Sequence, residues 1–163
     1  MMWLIIGLAV LLFCFSGVLL FGAPYLPTLT PQVTAALELA DLQPGETLLE
    51  LGCGDGKVLI AAARQGYYSV GYELNPLLAA VAWLRTRRYR RQVRVVCANF
   101  WTKKWPPTDA IFTFLLPKYM NKLDTIIAQN VQKPVKLVSF AFKIPDRPID
   151  DEKSGVYLYL FKK

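Results

Sequence analysis

The sequence predicts an α/β protein, a doubly wound and mostly parallel sheet with helices on both faces, preceded by one apolar helix. Two patterns lead there. From residue 47 onward, short apolar runs of strand length alternate with helical stretches over brief connections, the pattern of parallel strands joined by crossover helices. Ahead of them, residues 3–23 carry no charged side chain, and the first one anywhere is Glu38.

That uncharged run is long enough to cross a bilayer, since about 20 apolar residues cover roughly 30 Å of hydrocarbon. Gly7, Ser16 and Gly17 are tolerated inside such a helix. A cleaved signal peptide would want a basic leader and a shorter apolar core. No Lys or Arg precedes the run, although Gly22-Ala23 supplies the small residues of a cleavage site. A buried core helix would show a polar stripe. Residues 1–23 are therefore expected to form a retained transmembrane anchor, 24–30 a linker stiffened by Pro24 and Pro27, and 31–163 the globular domain.

Within that domain, Thr30 reads as a helix N-cap with Pro31 at the first helical position, opening a helix to about Ala40. Gln43-Pro44-Gly45-Glu46 is a turn. Strands follow at 47–51, 69–73, 93–97, 110–115, 136–140 and 156–161, and helices at 57–64, 76–88 and 119–129. Asn75 caps the middle helix, with Pro76 at its first position. Nearly continuous apolar runs such as 110–115 suit strands buried on both faces. The last strand has no helix before it and is expected to lie antiparallel at an edge.

Net charge is +7 with no histidine, which excludes Ser-His and Cys-His machinery and most zinc catalysis. Cys14, Cys53 and Cys97 lack the paired spacings of a metal site or disulfide framework. No metal is expected, and a reduced compartment fits. A basic domain also agrees with the positive-inside tendency, which places it on the cytoplasmic or matrix side of the membrane.

The first strand ends at Glu50-Leu51 and passes through Gly52-Cys53-Gly54-Asp55-Gly56 into a helix. Ligands of doubly wound sheets sit at this point, outside the carboxyl ends of the strands, where free N–H groups of the helix start are available. The spacing is G-x-G-x-G with an acid two residues earlier, unlike the G-x-G-x-x-G of diphosphate-binding folds. Asp55 would repel a diphosphate, whereas S-adenosylmethionine carries an ammonium and a sulfonium that acids suit. Glu73 ends the second strand, 21 residues beyond Gly52, where a carboxylate accepts from both ribose hydroxyls. Leu74 follows it at the site. Asn99, past the third strand, is placed to accept from the adenine amino group, and Phe100 and Trp101 to cover the adenine face.

These residues resemble a class I, seven-strand methyltransferase of Rossmann-like fold. More narrowly, they resemble the small membrane-anchored protein-lysine methyltransferases that modify the ATP synthase c-subunit and the adenine nucleotide translocase. The matching segments are ELGCGDGKVLIAAA at 50–63, GYELNP at 71–76, NFW at 99–101, FTFLLPKYM at 112–120 and VSFAFKIP at 138–145. The N-terminal apolar segment followed by Tyr25-Leu26-Pro27-Thr28 matches too. The resemblance implies that Glu50, Gly52, Gly54 and Asp55 hold the methionine end of the cofactor, Glu73 the ribose and Asn99 the adenine. Cys53 and Gly56 complete the binding loop. Asn99 stands where an acid is usual. Only about ten residues, including Pro106-Pro107, separate the third and fourth strands, so the helix usual there is lost. With six strands expected, the fold is a shortened one.

By the same resemblance the chain is a methyltransferase acting on lysine side chains of a membrane-associated protein. The acceptor should enter at the carboxyl end of the fourth strand near Leu116, Pro117 and Tyr119, with Phe140 and Phe142 lining the channel. Methylation of RNA or a small molecule is one alternative, and a catalytically dead membrane-bound scaffold is another. The cluster of Arg85, Arg87, Arg88, Arg90, Arg91 and Arg94 suits anionic lipid headgroups beside the anchor, or, less well, nucleic-acid phosphates. A solvated helix end explains it as well. The Asn-Pro-Pro-aromatic motif of base-aminomethylating enzymes is absent after the fourth strand, where Leu115-Leu116-Pro117-Lys118 stands.

Overall fold

The structure, a computed structural model, describes residues 26–130 and 133–162, together with Met2 and Ile5. The expected anchor at 1–23 lies outside the described residues, and no helix among those described is long and apolar enough to cross a membrane.

The elements, in chain order, are α1 (Thr30–Ala40), β1 (Thr47–Leu51), α2 (Lys57–Arg64), β2 (Tyr68–Glu73), α3 (Pro76–Thr86), β3 (Val93–Cys97), β4 (Ala110–Thr113), α4 (Met120–Asn130), β5 (Val135–Phe140), β6 (Asp151–Lys153) and β7 (Val156–Phe161). Short 3-10 turns stand at Arg87–Tyr89, Phe100–Thr102 and Pro117–Tyr119. The strands form one seven-stranded sheet in the order β3-β2-β1-β4-β5-β7-β6. β1 to β5 run parallel, and β7 lies antiparallel between β5 and β6.

Alternation along the central strands divides the core between the two faces. Leu48, Phe112 and Val138 pack with α1 and α2 residues such as Leu37, Val58 and Ala62. Leu49, Leu51, Ile111 and Leu137 turn the other way, onto Leu123 and Ile127 of α4. That second face has no helix between β3 and β4. Phe100, Trp101 and Trp105 lie against it instead, with Trp105 Nε1 donating to the Phe100 carbonyl at 2.9 Å. The expected loss of that helix is thus observed, with aromatic side chains in its place.

The sheet differs from expectation in one element. β6, three exposed polar residues, gives a seventh strand. It forms a hairpin with β7 across Ser154-Gly155, both at positive φ (53° and 73°), as a two-residue type I′ turn requires. β7 is antiparallel as expected but is not an edge. At the start of α1, the N-cap is Leu29, without a side-chain cap bond, and Thr30 is already helical. At α3 the Asn75 side chain does accept from the Leu77 and Leu78 N–H groups.

Candidate active site

The parallel strands β1 and β4 end beside one another, and a cleft of about 210 Å³ opens past their carboxyl ends. Its floor is the turn from β1 into α2. Gly52, Gly54 and Gly56 all have positive φ (87°, 52° and 78°), a backbone path that other residues follow only with strain. A Cβ on Gly52 would meet nothing within 4 Å, so its glycine requirement comes from the turn itself. Gly52 and Cys53 donate to the Tyr72 carbonyl at 2.9 and 2.8 Å, fixing the turn to the end of β2.

Glu73 closes the same turn. One carboxylate oxygen accepts from the Gly54 N–H and the other from the Asn75 N–H, each at 2.8 Å. A carboxylate has about four lone-pair sites, so roughly two remain for a ligand. Glu50 is 4% exposed, and its Oε2 has no hydrogen-bond partner. Burial, reinforced by the charge of Glu73, pushes its carboxyl well above the usual carboxylate range, while the Leu59 backbone N–H opposes the shift. An orphaned buried acid facing a cleft is a demand for a cation or donor.

Cys53 is packed rather than reactive. Burial first, then the charges of Glu50 and Glu73, drive its thiol far above its ordinary value, so no thiolate is available. It sits against Gly71 of β2, where an added Cβ would lie 2.7 Å from both Cys53 Cβ and Sγ.

Glu50, Gly52, Cys53, Gly54, Asp55, Glu73, Leu74, Asn99 and Phe100 all line the cleft. Gly56 does not. It faces α3, where its Cβ would approach Thr86 Cγ2 at 3.1 Å. The Asp55 carboxylate is occupied, pairing with Arg85 and accepting from the Lys57 N–H at 3.2 Å. Asn99 Oδ1 accepts from the Trp101 N–H at 3.0 Å and so caps its own turn.

At the β4 end the wall is aromatic. Phe114, Leu116, Tyr119 and Phe142 line it, and Trp101 lies 5.9 Å from Tyr119 between ring centroids. Pro117 is outside the lining and exposed, the first residue of its 3-10 turn. Phe140 stands behind Phe114, with ring centroids 4.5 Å apart. Phe142 reaches the cleft because Ala141 adopts a left-handed backbone, φ 66°.

Two contributors lie in segments that match the family but were not expected at the site. Phe114 is one. The other is the segment Leu26–Thr28, which lies in the cleft wall and is tied there by Lys57 Nζ donating to the Thr28 carbonyl at 2.8 Å.

A seven-stranded sheet of this order, with a glycine turn after β1 and an acid ending β2, defines a class I methyltransferase fold. Similarity to known proteins gives the particular family. Residues 50–151 match the model of the ANTKMT methyltransferase domain, and the chain belongs to that family. The Xenopus laevis lysine N-methyltransferase of the ATP synthase c-subunit is 31% identical over 127 residues, which is 76% of this chain and 55% of that protein. A protein-lysine N-methyltransferase of Saccharolobus islandicus is 28% identical over 149 residues, 84% of this chain and 92% of its own length. Among solved structures, an RNA methyltransferase from Salinibacter ruber in complex with S-adenosyl-L-homocysteine superposes with a TM-score of 0.80 at 28% identity. That match covers 85% of this chain and 95% of the other. The chain spans about half the length of the vertebrate relatives it matches.

Proposed function

We propose that this chain is an S-adenosylmethionine-dependent methyltransferase acting on lysine side chains of a membrane-associated protein, with residues 1–23 as its anchor. The observation that carries the reading is the division of one cleft into an acidic half, Glu50 and Glu73, and an aromatic half, Phe114, Tyr119 and Phe142. The names of the Xenopus and Saccharolobus relatives agree with it.

The residues present fit the cofactor. Glu50 Oε2, buried and unpartnered, suits its ammonium. The remaining lone pairs of Glu73 suit the ribose hydroxyls. Leu74 and Phe100 suit the faces of the adenine. When bound, S-adenosylmethionine supplies an electrophilic methyl group on a sulfonium, so the protein's task is to bring an amine into line with it.

A lysine is cationic in water and must lose a proton to become a nucleophile. Among the described residues, the wall at the β4 end holds one titratable side chain, Tyr119, and no carboxylate. An amine drawn into such an apolar passage loses hydration that favours its charged form, and its pKa falls. Desolvation by Phe114, Leu116 and Phe142 thus favours the neutral amine, which leaves its proton with bulk water at the cleft mouth before it meets the methyl group.

The Salinibacter relative's name and the arginines after α3 favour RNA as a second reading. One experiment separates them. The full chain is incubated with cell membranes and total RNA in the presence of methyl-labelled cofactor, with Glu73→Ala as control. Label in a protein band that is lost in the control, and recovered as methyl-lysine on hydrolysis, supports the proposal. Label in RNA overturns it in favour of the second reading. Cofactor binding without any transfer marks a scaffold.

A further inference from the structure

Helix α3 is apolar on both sides. Its small residues Ala79, Ala82 and Thr86 are buried. Opposite them, at i, i+4 and i+7, stand Leu77, Val81 and Leu84, which are 42%, 41% and 53% exposed, and Trp83, about a quarter-turn round the helix from Leu84, is exposed at 62%. A helix on the surface of a soluble domain normally turns charge outward. A contiguous exposed apolar patch marks a surface that something covers.

The helix then runs directly into Arg87, Arg88, Arg90 and Arg91, all exposed. Arg85 is paired with Asp55. Among the described residues, none of the four that follow has a carboxylate within ion-pair distance. Large apolar side chains, an aromatic amphiphile and a dense unpaired basic end on one helix are the features of a segment that lies in a membrane interface.

We propose that α3 and the arginines after it form a lipid-docking face. Leu77, Val81 and Leu84 rest at the boundary of the acyl chains of an anionic bilayer, Trp83 sits at headgroup depth, and the arginines engage phosphates. The placement of the chain agrees. The uncharged run at 3–23 ends three residues before Leu26. Leu26 lines the same cleft as Leu74 and Leu78, which flank the start of α3. On the membrane reading, the chain leaves the run at Leu26, in the cleft that the amino end of α3 also lines, and the helix would be the domain's second contact with the bilayer. The cleft mouth would then open along the membrane surface, where a lysine close to the headgroups could reach it. This inference rests on the membrane reading above, but its test reads α3 independently of both the anchor and the reaction.

The full chain is reconstituted with vesicles of phosphatidylcholine, with and without phosphatidylglycerol, whose acyl chains carry bromine as a tryptophan quencher. Subtracting Trp83→Phe from wild type isolates Trp83 from Trp3, Trp101 and Trp105. The expected result is quenching of the Trp83 component in anionic vesicles. Arg87→Glu with Arg88→Glu should reduce that quenching by about twofold or more, as should Leu84→Ser. Flotation of the same samples reports membrane association by any route, and Trp83 quenching reports α3 alone. A chain that floats while its Trp83 component stays unquenched overturns the docking face and leaves the anchor standing. An unquenched Trp83 that is also shielded from aqueous iodide overturns it in favour of a cover made of protein, either a second copy or residues 3–23. Quenching equal in neutral and anionic vesicles overturns the role given to the arginines.

Discussion

The Glu73 carboxylate accepts from the Gly54 N–H at 2.8 Å and from the Asn75 N–H at the same distance. One side chain at the end of β2 therefore holds the glycine turn after β1 and the start of α3 in a single unit. The group assigned to a ligand's ribose also builds the floor on which the rest of that ligand would lie. Removing it affects binding twice, once through the lost contact and once through the turn.

Glu73→Ala should weaken S-adenosylmethionine binding by at least tenfold, since bonds to a charged acceptor are worth about 1.5–3 kcal/mol. It should also lower stability by about 2 kcal/mol, because two buried backbone donors lose their acceptor. Glu73→Gln should do no better, because its amide nitrogen presents a donor to one of those two N–H groups. Calorimetric titration and denaturant unfolding check both. A Glu73→Gln variant that binds like wild type would overturn the assignment.

Glu50 predicts a pH dependence of opposite sign for stability and for binding. Its carboxyl titrates well above the usual range in the folded chain, against about 4.3 when unfolded. Its contribution to stability is therefore most favourable below about pH 4.3 and is lost as pH rises through the folded value. A cationic ligand prefers the ionised form, so affinity rises over that same upper window. Glu50→Gln should be at least as stable as wild type at neutral pH, with the difference closing towards about pH 4. It should bind S-adenosylmethionine weakly and without that rise. Melting curves and titrations at several pH values test the two arms. A wild-type affinity that is flat with pH would count against an unpaired Glu50 as the ammonium site.

Most of the fold was legible because its signals are local. Strands β1, β2, β3, β5 and β7 announced themselves as apolar runs, and Asn75-Pro76 marked the start of α3. β6 escaped because Asp151-Glu152-Lys153 is polar and exposed, held by its ladder to β7 and by the ion pairs of Lys153 with Glu38 and of Glu152 with Lys143. The Ser154-Gly155 pair, a two-residue hairpin loop, was the one signal that could have found it. Within the site, the glycine turn and Glu73 could be read from spacing. The occupation of Asp55 by Arg85 and of Asn99 Oδ1 by the Trp101 N–H could not, because each depends on where other elements bring their atoms. Phe114 and Leu26–Thr28 join the cleft for the same reason, through packing at long range.

Gly71 is the tightest point of the scaffold under the turn. An added Cβ there would lie 2.6 Å from Leu59 Cδ1 and 2.7 Å from Cys53 Cβ. The leucine tip can move, but the cysteine belongs to the binding turn and moves only with it. Gly71→Ala should cost about 1–3 kcal/mol, the usual range for overpacking a filled core, and should weaken cofactor binding through displacement of Gly52 and Gly54. Denaturant unfolding and titration measure the pair. Loss of stability with unaltered binding would show that the strain is absorbed at Leu59 rather than at the turn.

Lys57 links the first residue of α2 to the segment that covers the cleft, donating to the Thr28 carbonyl at 2.8 Å. The carbonyl lies 29 residues earlier in the chain, so the bond carries no local structure and serves to hold Leu26–Thr28 against the site. Its loss should leave the sheet intact, because Lys57 is absent from the core clusters that pack it. Lys57→Met keeps the aliphatic stem and removes the donor. It should leave the melting temperature within a few degrees, a change of about 1 kcal/mol or less for one partly exposed hydrogen bond. Dissociation of bound S-adenosylmethionine should quicken by about fivefold or more as the cover loosens, since affinity changes of this kind fall mainly on the off-rate. Stopped-flow displacement with S-adenosylhomocysteine measures that rate. An unchanged off-rate would mean that Leu26–Thr28 holds its place by apolar contact alone, and that the tether to Lys57 has no part in retaining the ligand.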